Sequence, residues 1–332
     1  MVDEAWSTWM DRPFAVDGPE AFNALALDLF RLHAARNPVY RAFLEGLRVV
    51  PDRVATVEAI PFLPIQTFRD HRVLLEGLAP ALTFASSGTT ATVTARHHVP
   101  WPALYERSFL TAFRRFLGDP RAWRIIGLLP AYMDRPDSSL VHMAHRLVAL
   151  SGDPWGGLFR DRYDQVAELL RRSEAEGRKT LLLGVPFALL DLAEQHPMPL
   201  RHVHIVETGG MKGRRPELVR EDLHARLRSA FGVARVGGEY GMTELMSQAW
   251  SDGAGRYHCP PWMAVRIREV NDPRSTQAHG RTGGIDIIDL CNVASCPFIG
   301  TQDLGRTHAD GGFEVLGRFD HSDVRGCNLL FA

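Results

Sequence analysis

Long apolar runs are missing from this 332-residue chain. No stretch approaches the ~18–20 apolar residues needed to span a bilayer; the longest are like Leu181-Leu182-Leu183. A membrane span is therefore not expected. An excess of one charge is missing too: 38 Lys and Arg face 39 Asp and Glu, a formal net charge of -1. That balance gives nucleic acid no broad electrostatic footprint, and an anionic membrane none either. Cysteine is scarce, with Cys259, Cys291, Cys296 and Cys327 at spacings that build no disulfide framework, so they read as reduced thiols in a cytoplasmic protein. The opening MVDEAWSTWMDRPF is acidic and lacks the basic-then-apolar pattern of a secretory signal.

What is present suits a loop-rich α/β enzyme: 45% hydrophobic residues, with 29 glycines and 21 prolines spread along the chain. Residues 19–48 carry Phe22, Leu25, Leu29, Leu32 and Ala35 at helical spacing, with Pro38 as a breaker. Ala59 to Phe68, with two prolines among apolar residues, reads as an extended, packed connector. Trp101 to Leu117 reads as an amphipathic helix. Then Trp123–Leu129, Lys179–Val185 and His202–Glu207 are apolar, strand-like runs, separated by helical patterns over Ser138–Ala149, Tyr163–Glu176 and residues 186–195, with Pro216–Phe231 following. Alternation of this kind over 120–245 predicts βαβ units and a largely parallel sheet. From about Trp262 the pattern becomes strand-like alternation between glycine-rich turns: Val265–Arg268, Gly284–Asp289 and Phe313–Leu316. The expectation is an α/β core over 1–260 carrying the chemistry, with mostly parallel sheets flanked by helices, and a smaller β-rich subdomain over 261–332.

Three strings carry chemistry. In Ser86-Ser87-Gly88-Thr89-Thr90, hydroxyls and backbone N–H groups around one glycine can converge on phosphate oxygens; taken alone, such a string is more often an ordinary turn. In Gly238-Glu239-Tyr240-Gly241-Met242-Thr243-Glu244, a glycine-flanked turn offers an aromatic ring for a purine face and carboxylates for a divalent cation, or, more plainly, a strand-to-helix turn with a cap. In Thr301-Gln302-Asp303-Leu304-Gly305 an Asp can take both ribose hydroxyls, and Gly317-Arg318-Phe319-Asp320 follows it.

In this order the strings resemble the adenylate-forming superfamily of acyl-CoA synthetases, luciferase and peptide-synthetase adenylation domains, from about Pro61 to Gly326. Within it, the chain is similar to the LuxE-type acyl-protein synthetases, with phenylacetate-CoA ligases as further relatives. The pieces that carry this are Pro64-Ile65-Gln66-Thr67-Phe68, Pro130-Ala131-Tyr132 with Asp137-Ser138-Ser139-Leu140, Glu207-Thr208-Gly209-Gly210-Met211-Lys212-Gly213, and Arg325-Gly326-Cys327-Asn328-Leu329. The resemblance implies ATP and Mg²⁺ as cofactors. It implies that Ser86, Ser87, Gly88, Thr89 and Thr90 cradle the β- and γ-phosphates, and that Gly209, Gly210, Glu239, Tyr240 and Gly241 line the nucleotide pocket. Thr243 would contact the α-phosphate, Glu244 hold Mg²⁺, Asp303 bind the ribose, and Arg318 sit by ribose and phosphate. His142 and Met242 would touch the acyl substrate, and Cys327 would accept the acyl group before handing it to an acyl-accepting protein such as a reductase or carrier.

The implied reaction activates a carboxylic acid, of fatty type, as its acyl-adenylate and transfers it to a protein thiol. The alternative is an acyl- or aryl-CoA ligase, or a ligase for another acceptor, working with a separate partner. Two departures stand out. Many relatives continue the Ser/Thr loop through Gly-x-Pro-Lys, whereas Ala91-Thr92-Val93-Thr94 follows here. CoA ligases also carry a mobile C-terminal domain with an adenylation lysine after the Gly-Arg-x-Asp string; that domain is expected to be absent, with Lys212 as a substitute lysine. Arg325 beside Cys327 would favour the nucleophilic thiolate. The His97-His98, His142/His145 and His202/His204 pairs, and Cys259, Cys291 and Cys296 with His258, fall short of a convincing metal set.

Overall fold

The structure is a computed structural model that describes residues 4–86, 94–130, 135–211, 215, 218–270, 272 and 274–319. In chain order its strands are β1 Leu63–Pro64, β2 Leu82–Ala85, β3 Arg96–Val99, β4 Arg124–Leu128, β5 Gly157–Phe159, β6 Thr180–Gly184, β7 Val203–Thr208, β8 Gly237–Tyr240, β9 Ala249–Ser251, β10 Met263–Arg268, β11 Gly283–Asp289, β12 Phe298–Thr307 and β13 Phe313–Arg318.

The six-stranded central sheet runs β5-β4-β6-β7-β8-β9, parallel as far as β8 and closed by antiparallel β9. Every residue of β4 and β6 is buried. A strand covered on both faces cannot alternate, which is why these two read as continuous apolar runs. The helices Ser139–Ser151, Tyr163–Glu176, Pro186–Gln195 and Arg220–Phe231 make the crossovers. From β4 the chain steps out to β5 and returns to β6 on the other side, so the strand order reverses beside β4. In open α/β sheets ligands sit in the crevice at the carboxyl ends of the strands near such a reversal. Thr208 and Tyr240 end β7 and β8 on that edge.

A second sheet runs β1-β12-β11-β10, with β13 on β12. One edge of the long β12 pairs with β11. Its other edge is shared by β1, opposite Ile299 and Gly300, and by β13, which sets Arg318 directly opposite Asp303. A single hydrophobic core, from Val16 to Phe313, underlies both sheets. β2 and β3 form a separate hairpin.

The break at Pro38 has a local cause. The Pro19–Arg36 helix stops at Asn37, whose side chain accepts from Tyr40 N at 3.3 Å and donates to Ser295 O at 2.6 Å, and Pro38 starts the Pro38–Gly46 helix. Of the connector from Ala59 to Phe68, Ala59 closes a 3-10 turn, Ile60 is extended and leads toward β1, and the chain turns at Ile65–Gln66 into the short helix Thr67–Asp70. Tyr40 Oη donates to Pro61 O at 2.6 Å and pins the connector. The Pro102–Leu117 helix buries Leu104, Ser108 and Ala112 together with Tyr105, Phe109 and Phe113, so its inner stripe is wide. β3 and β5 were not foreseen, being short and polar or glycine-containing. No helix among the described residues is long and apolar enough to cross a membrane.

Candidate functional site

β8 carries glycine for a steric reason. A Cβ on Gly238 would lie 2.5 Å from Tyr257 Oη and 3.1 Å from Glu207 Oε1. Those two groups bond each other, Tyr257 Oη donating to Glu207 at 2.9 Å, and Arg220 Nε donates to the same carboxylate at 2.9 Å. Arg220 also reaches Val315 O at 2.8 Å, which ties β7 to β13. Tyr240, next along, packs edge-on against Phe313, with ring centroids 5.5 Å apart. Its hydroxyl donates to Asp303 Oδ2 at 2.8 Å, while Arg318 Nε donates to Asp303 Oδ1 at 3.1 Å. Asp303 is buried and Arg318 largely exposed, 78% of its side chain facing solvent. A carboxylate has about four lone-pair positions, so two remain for a ligand's hydroxyls.

Glu244 is buried, and burial pushes its carboxyl up to about 7, against the pull of Arg318 and Arg69. The segment that follows is fixed by Asp289, whose buried carboxylate accepts from Met246 N at 2.7 Å, Ser247 N at 2.9 Å, Ser247 Oγ at 2.6 Å and Cys291 N at 3.2 Å. Asp289 closes an apolar strand, Ile287-Ile288-Asp289. An acid ending a fully buried strand was the signal, but nothing nearby in sequence names its partners.

Thr208 and Glu239 are register partners in β7 and β8, and the Thr208 hydroxyl donates to the Glu239 carboxylate. Gly209 adopts φ 75, the left-handed region that favours glycine. Gly210 opens onto free space, since a Cβ there would meet nothing within 4 Å. Burial pushes Glu239 up to about 7, with the Thr208 hydroxyl pulling down and the Glu207 charge pushing up. In the unfolded chain the same carboxyl titrates near ~4.3. Across that window the folded state holds the extra proton, so stability falls as pH rises. Thermal melts of Glu239→Gln should match wild type near about pH 4 and exceed it at about pH 8, by up to about 3 kcal/mol. A difference that does not change with pH would remove Glu239 as the source.

Of the Ser/Thr loop, Ser86 is described and Ser87, Gly88, Thr89 and Thr90 lie outside the described residues, as do Lys212 and Cys327. Ser86 follows β2: its N–H donates to Ala95 O and its Oγ accepts from Ala95 N, each at 3.0 Å. Arg135, which sequence reasoning passed over, clamps this end, donating to Ser86 O at 2.7 Å and Ala85 O at 3.3 Å. Thus Tyr240, Asp303 and Arg318 are joined directly, and Thr243 and Glu244 adjoin them. Ser86 approaches through its hairpin, in which His97 Nδ1 lies 2.8 Å from Thr243 O. His142 stands behind β2, its ring 5.7 Å from Phe84 and its Nε2 3.3 Å from Glu106 Oε1. Met242 is half-buried against the core. Cys259, Cys291 and Cys296 are free, and burial pushes the thiols of Cys259 and Cys296 up to about 12 and that of Cys291 well up. Among the described residues no three or more His, Cys, Asp or Glu side chains are gathered to hold a metal ion.

No protein-family model matches the chain, and no curated protein matches it. Solved structures do, and the class they define is the α/β fold of adenylate-forming enzymes. A 2-hydroxyisobutyryl-CoA ligase in its postadenylation state, in complex with 2-HIB-AMP, is similar with TM-score 0.63 and 14% identity, covering 91% of this chain and 68% of that one. An open conformation of that ligase with 2-HIB-AMP and CoA gives TM-score 0.63 and 13% identity, over 91% and 70%. ATP-bound MatB from Rhodopseudomonas palustris gives TM-score 0.51 and 22% identity, over 71% of this chain and 47% of that one. The chain thus spans about half the length of the MatB structures.

Proposed function

We propose that the chain is an AMP-forming acid–thiol ligase that converts a carboxylic acid, of fatty type, to its acyl-adenylate and passes the acyl group to a protein thiol, as LuxE-type acyl-protein synthetases do. One observation carries the adenylation half: the hydrogen-bonded chain Tyr240–Asp303–Arg318 closes beside the buried Glu244. In this reading Asp303 takes the ribose hydroxyls and Arg318 the adjoining phosphate. The Tyr240 ring, Glu239 and Gly209–Gly210, with Gly241, bound the base, and the Ser86–Thr90 loop holds the β- and γ-phosphates. The substrate carboxylate attacks the α-phosphorus, its oxygen forming the new P–O bond as pyrophosphate leaves. Both reactants are anions, so donors placed on the developing charge supply most of the assistance. Thr243 meets the α-phosphate.

Glu244 fits a divalent cation by its chemistry: a buried carboxylate pushed up by desolvation gains most from a cation beside it. Glu244 would hold Mg²⁺, which when bound screens the triphosphate charge. The chain has two lysines. Lys179 rests its ammonium 3.9 Å from the centroid of the Trp123 ring, just before β6 and therefore at the far edge of the sheet. Lys212, two residues beyond Gly210 in sequence, is the candidate phosphate lysine of this reading. His142 and Met242 border the acyl side.

The 2-HIB-AMP and ATP complexes of the solved neighbours support adenylation. The neighbours also favour a second acceptor, CoA, since one carries it bound; that ligase would act with a separate partner. The deciding test is carboxylate-dependent ATP–pyrophosphate exchange over a panel of fatty and aromatic acids. Exchange with at least one acid is expected. Its absence across the panel would remove the adenylation reading.

A further inference from the structure

His97 is a buried ring with an oxygen near each nitrogen. Nδ1–H donates to Thr243 O at 2.8 Å, and Nε2 lies 3.1 Å from Asn292 Oδ1. Asn292 is buried too, and its Nδ2 donates to Glu244 O at 2.8 Å. Two side chains from distant parts of the chain therefore hold the backbone carbonyls of consecutive residues, Thr243 and Glu244, in the turn that carries the reactive groups. His97 lies in β3, and its register partner in β2 is Phe84, two residues before Ser86. The Phe68 ring packs edge-on against it, centroids 6.1 Å apart. A ring held at Nδ1 and packed against Phe68 transmits the position of the hairpin to the turn. Neither residue touches a described group of the nucleotide site with its own side chain except through these carbonyls.

We infer that His97, assisted by Asn292, is a positioning residue that fixes the Thr243–Glu244 turn against the Ser86 hairpin, so that the α-phosphate contact and the cation-holding carboxylate keep a set separation from Ser86; this rests on the adenylation reading above. The neutral ring has one N–H, and the shorter contact, to Thr243, takes it. Thr243 O is therefore the bond that matters; Nε2 and Asn292 Oδ1 are then both acceptors, and Asn292 contributes through its own bond to Glu244 O.

The test separates the two nitrogens. An asparagine amide nitrogen falls near the place of His Nδ1, and a glutamine amide nitrogen near Nε2. His97→Asn should keep the bond to Thr243, and His97→Gln should lose it. Both lose the ring's packing, so both should melt at similar, lowered temperatures. The expected result is that kcat for pyrophosphate exchange falls about 10- to 100-fold in His97→Gln and within about 3-fold in His97→Asn, with KM for the acid unchanged in both. Independently of activity, amide hydrogen exchange over 241–246 should quicken in His97→Gln and stay near wild type in His97→Asn. Equal exchange kinetics and equal amide protection in the two variants, with wild type active, would overturn the positioning role alone. Wild type inactive with every acid would overturn the adenylation reading, and the positioning role would fall with it.

Discussion

Glu244→Gln should lower carboxylate-dependent pyrophosphate exchange by about 10²–10³-fold, the scale seen when one preorganised electrostatic contact to a transition state is removed. The argument runs from burial. A carboxylate in water interacts weakly with a cation, because solvent screens both. Glu244 is 5% exposed, and burial has already pushed its proton affinity up to about 7. The desolvation cost is met in the fold itself, so a metal–triphosphate that arrives finds an unscreened partner. Glutamine keeps the size and removes the charge. The loss should appear chiefly in kcat, and raising the magnesium concentration should recover part of it. Folding should not suffer: an unneeded buried charge destabilises, so the melting temperature of Glu244→Gln without nucleotide should equal or exceed that of wild type. A variant with wild-type exchange at low magnesium would take Glu244 out of the site. Asp303→Asn provides the contrast, because it also breaks the Tyr240 and Arg318 contacts and should raise KM for ATP more than it lowers kcat.

What could be read in the sequence was whatever depended on neighbours in the chain. β4 and β6 were legible because burial on both faces leaves an apolar run, and the Tyr163–Glu176 helix because its stripe repeats within one element. The turn after Tyr240 was legible as a string, since its residues act side by side; the Thr301–Gly305 string reads as a turn in sequence but lies inside β12, where pairing with β13 sets Arg318 opposite Asp303. The supports were not. Asp289 grips Ser247 across 42 positions, Arg135 reaches Ser86 across 49, and His97 reaches Thr243 across 146. Each is an ordinary polar residue until folding supplies its partner. His97 was weighed as one half of a metal pair with His98; as neighbours in a strand the two side chains point to opposite faces. His98 bonds instead toward Thr83, at 3.1 Å from Oγ1. The Pro38 break was visible, but its cap was not, because Asn37 is completed by Ser295 from the far end of the chain.

Cys327→Ala should leave pyrophosphate exchange at the wild-type rate and abolish a covalent acyl-enzyme. Transfer from the adenylate needs a thiolate: sulfur attacks the acyl carbonyl, the thioester C–S bond forms, the C–O bond to phosphate breaks, and AMP leaves with the electron pair. Thiols held in apolar surroundings do not ionise near neutral pH. Burial pushes Cys259 and Cys296 up to about 12 and Cys291 well up, which disfavours the thiolate in all three. Cys327 is the acceptor in the proposed reading, where Arg325, two residues away in sequence, would favour the anion. Incubation with ATP and a radiolabelled acid, followed by denaturing gel and hydroxylamine, should show a hydroxylamine-labile label on wild type and on Cys259→Ala, and none on Cys327→Ala. Label that survives on Cys327→Ala would end the case for this cysteine. Label that appears on added CoA but never on the chain would transfer the conclusion to the CoA-ligase reading. Under the proposed function the two half-reactions are separable because they would use different residues: Glu244, Asp303 and Arg318 would manage charge in forming the adenylate, and the Cys327 sulfur would take the acyl group.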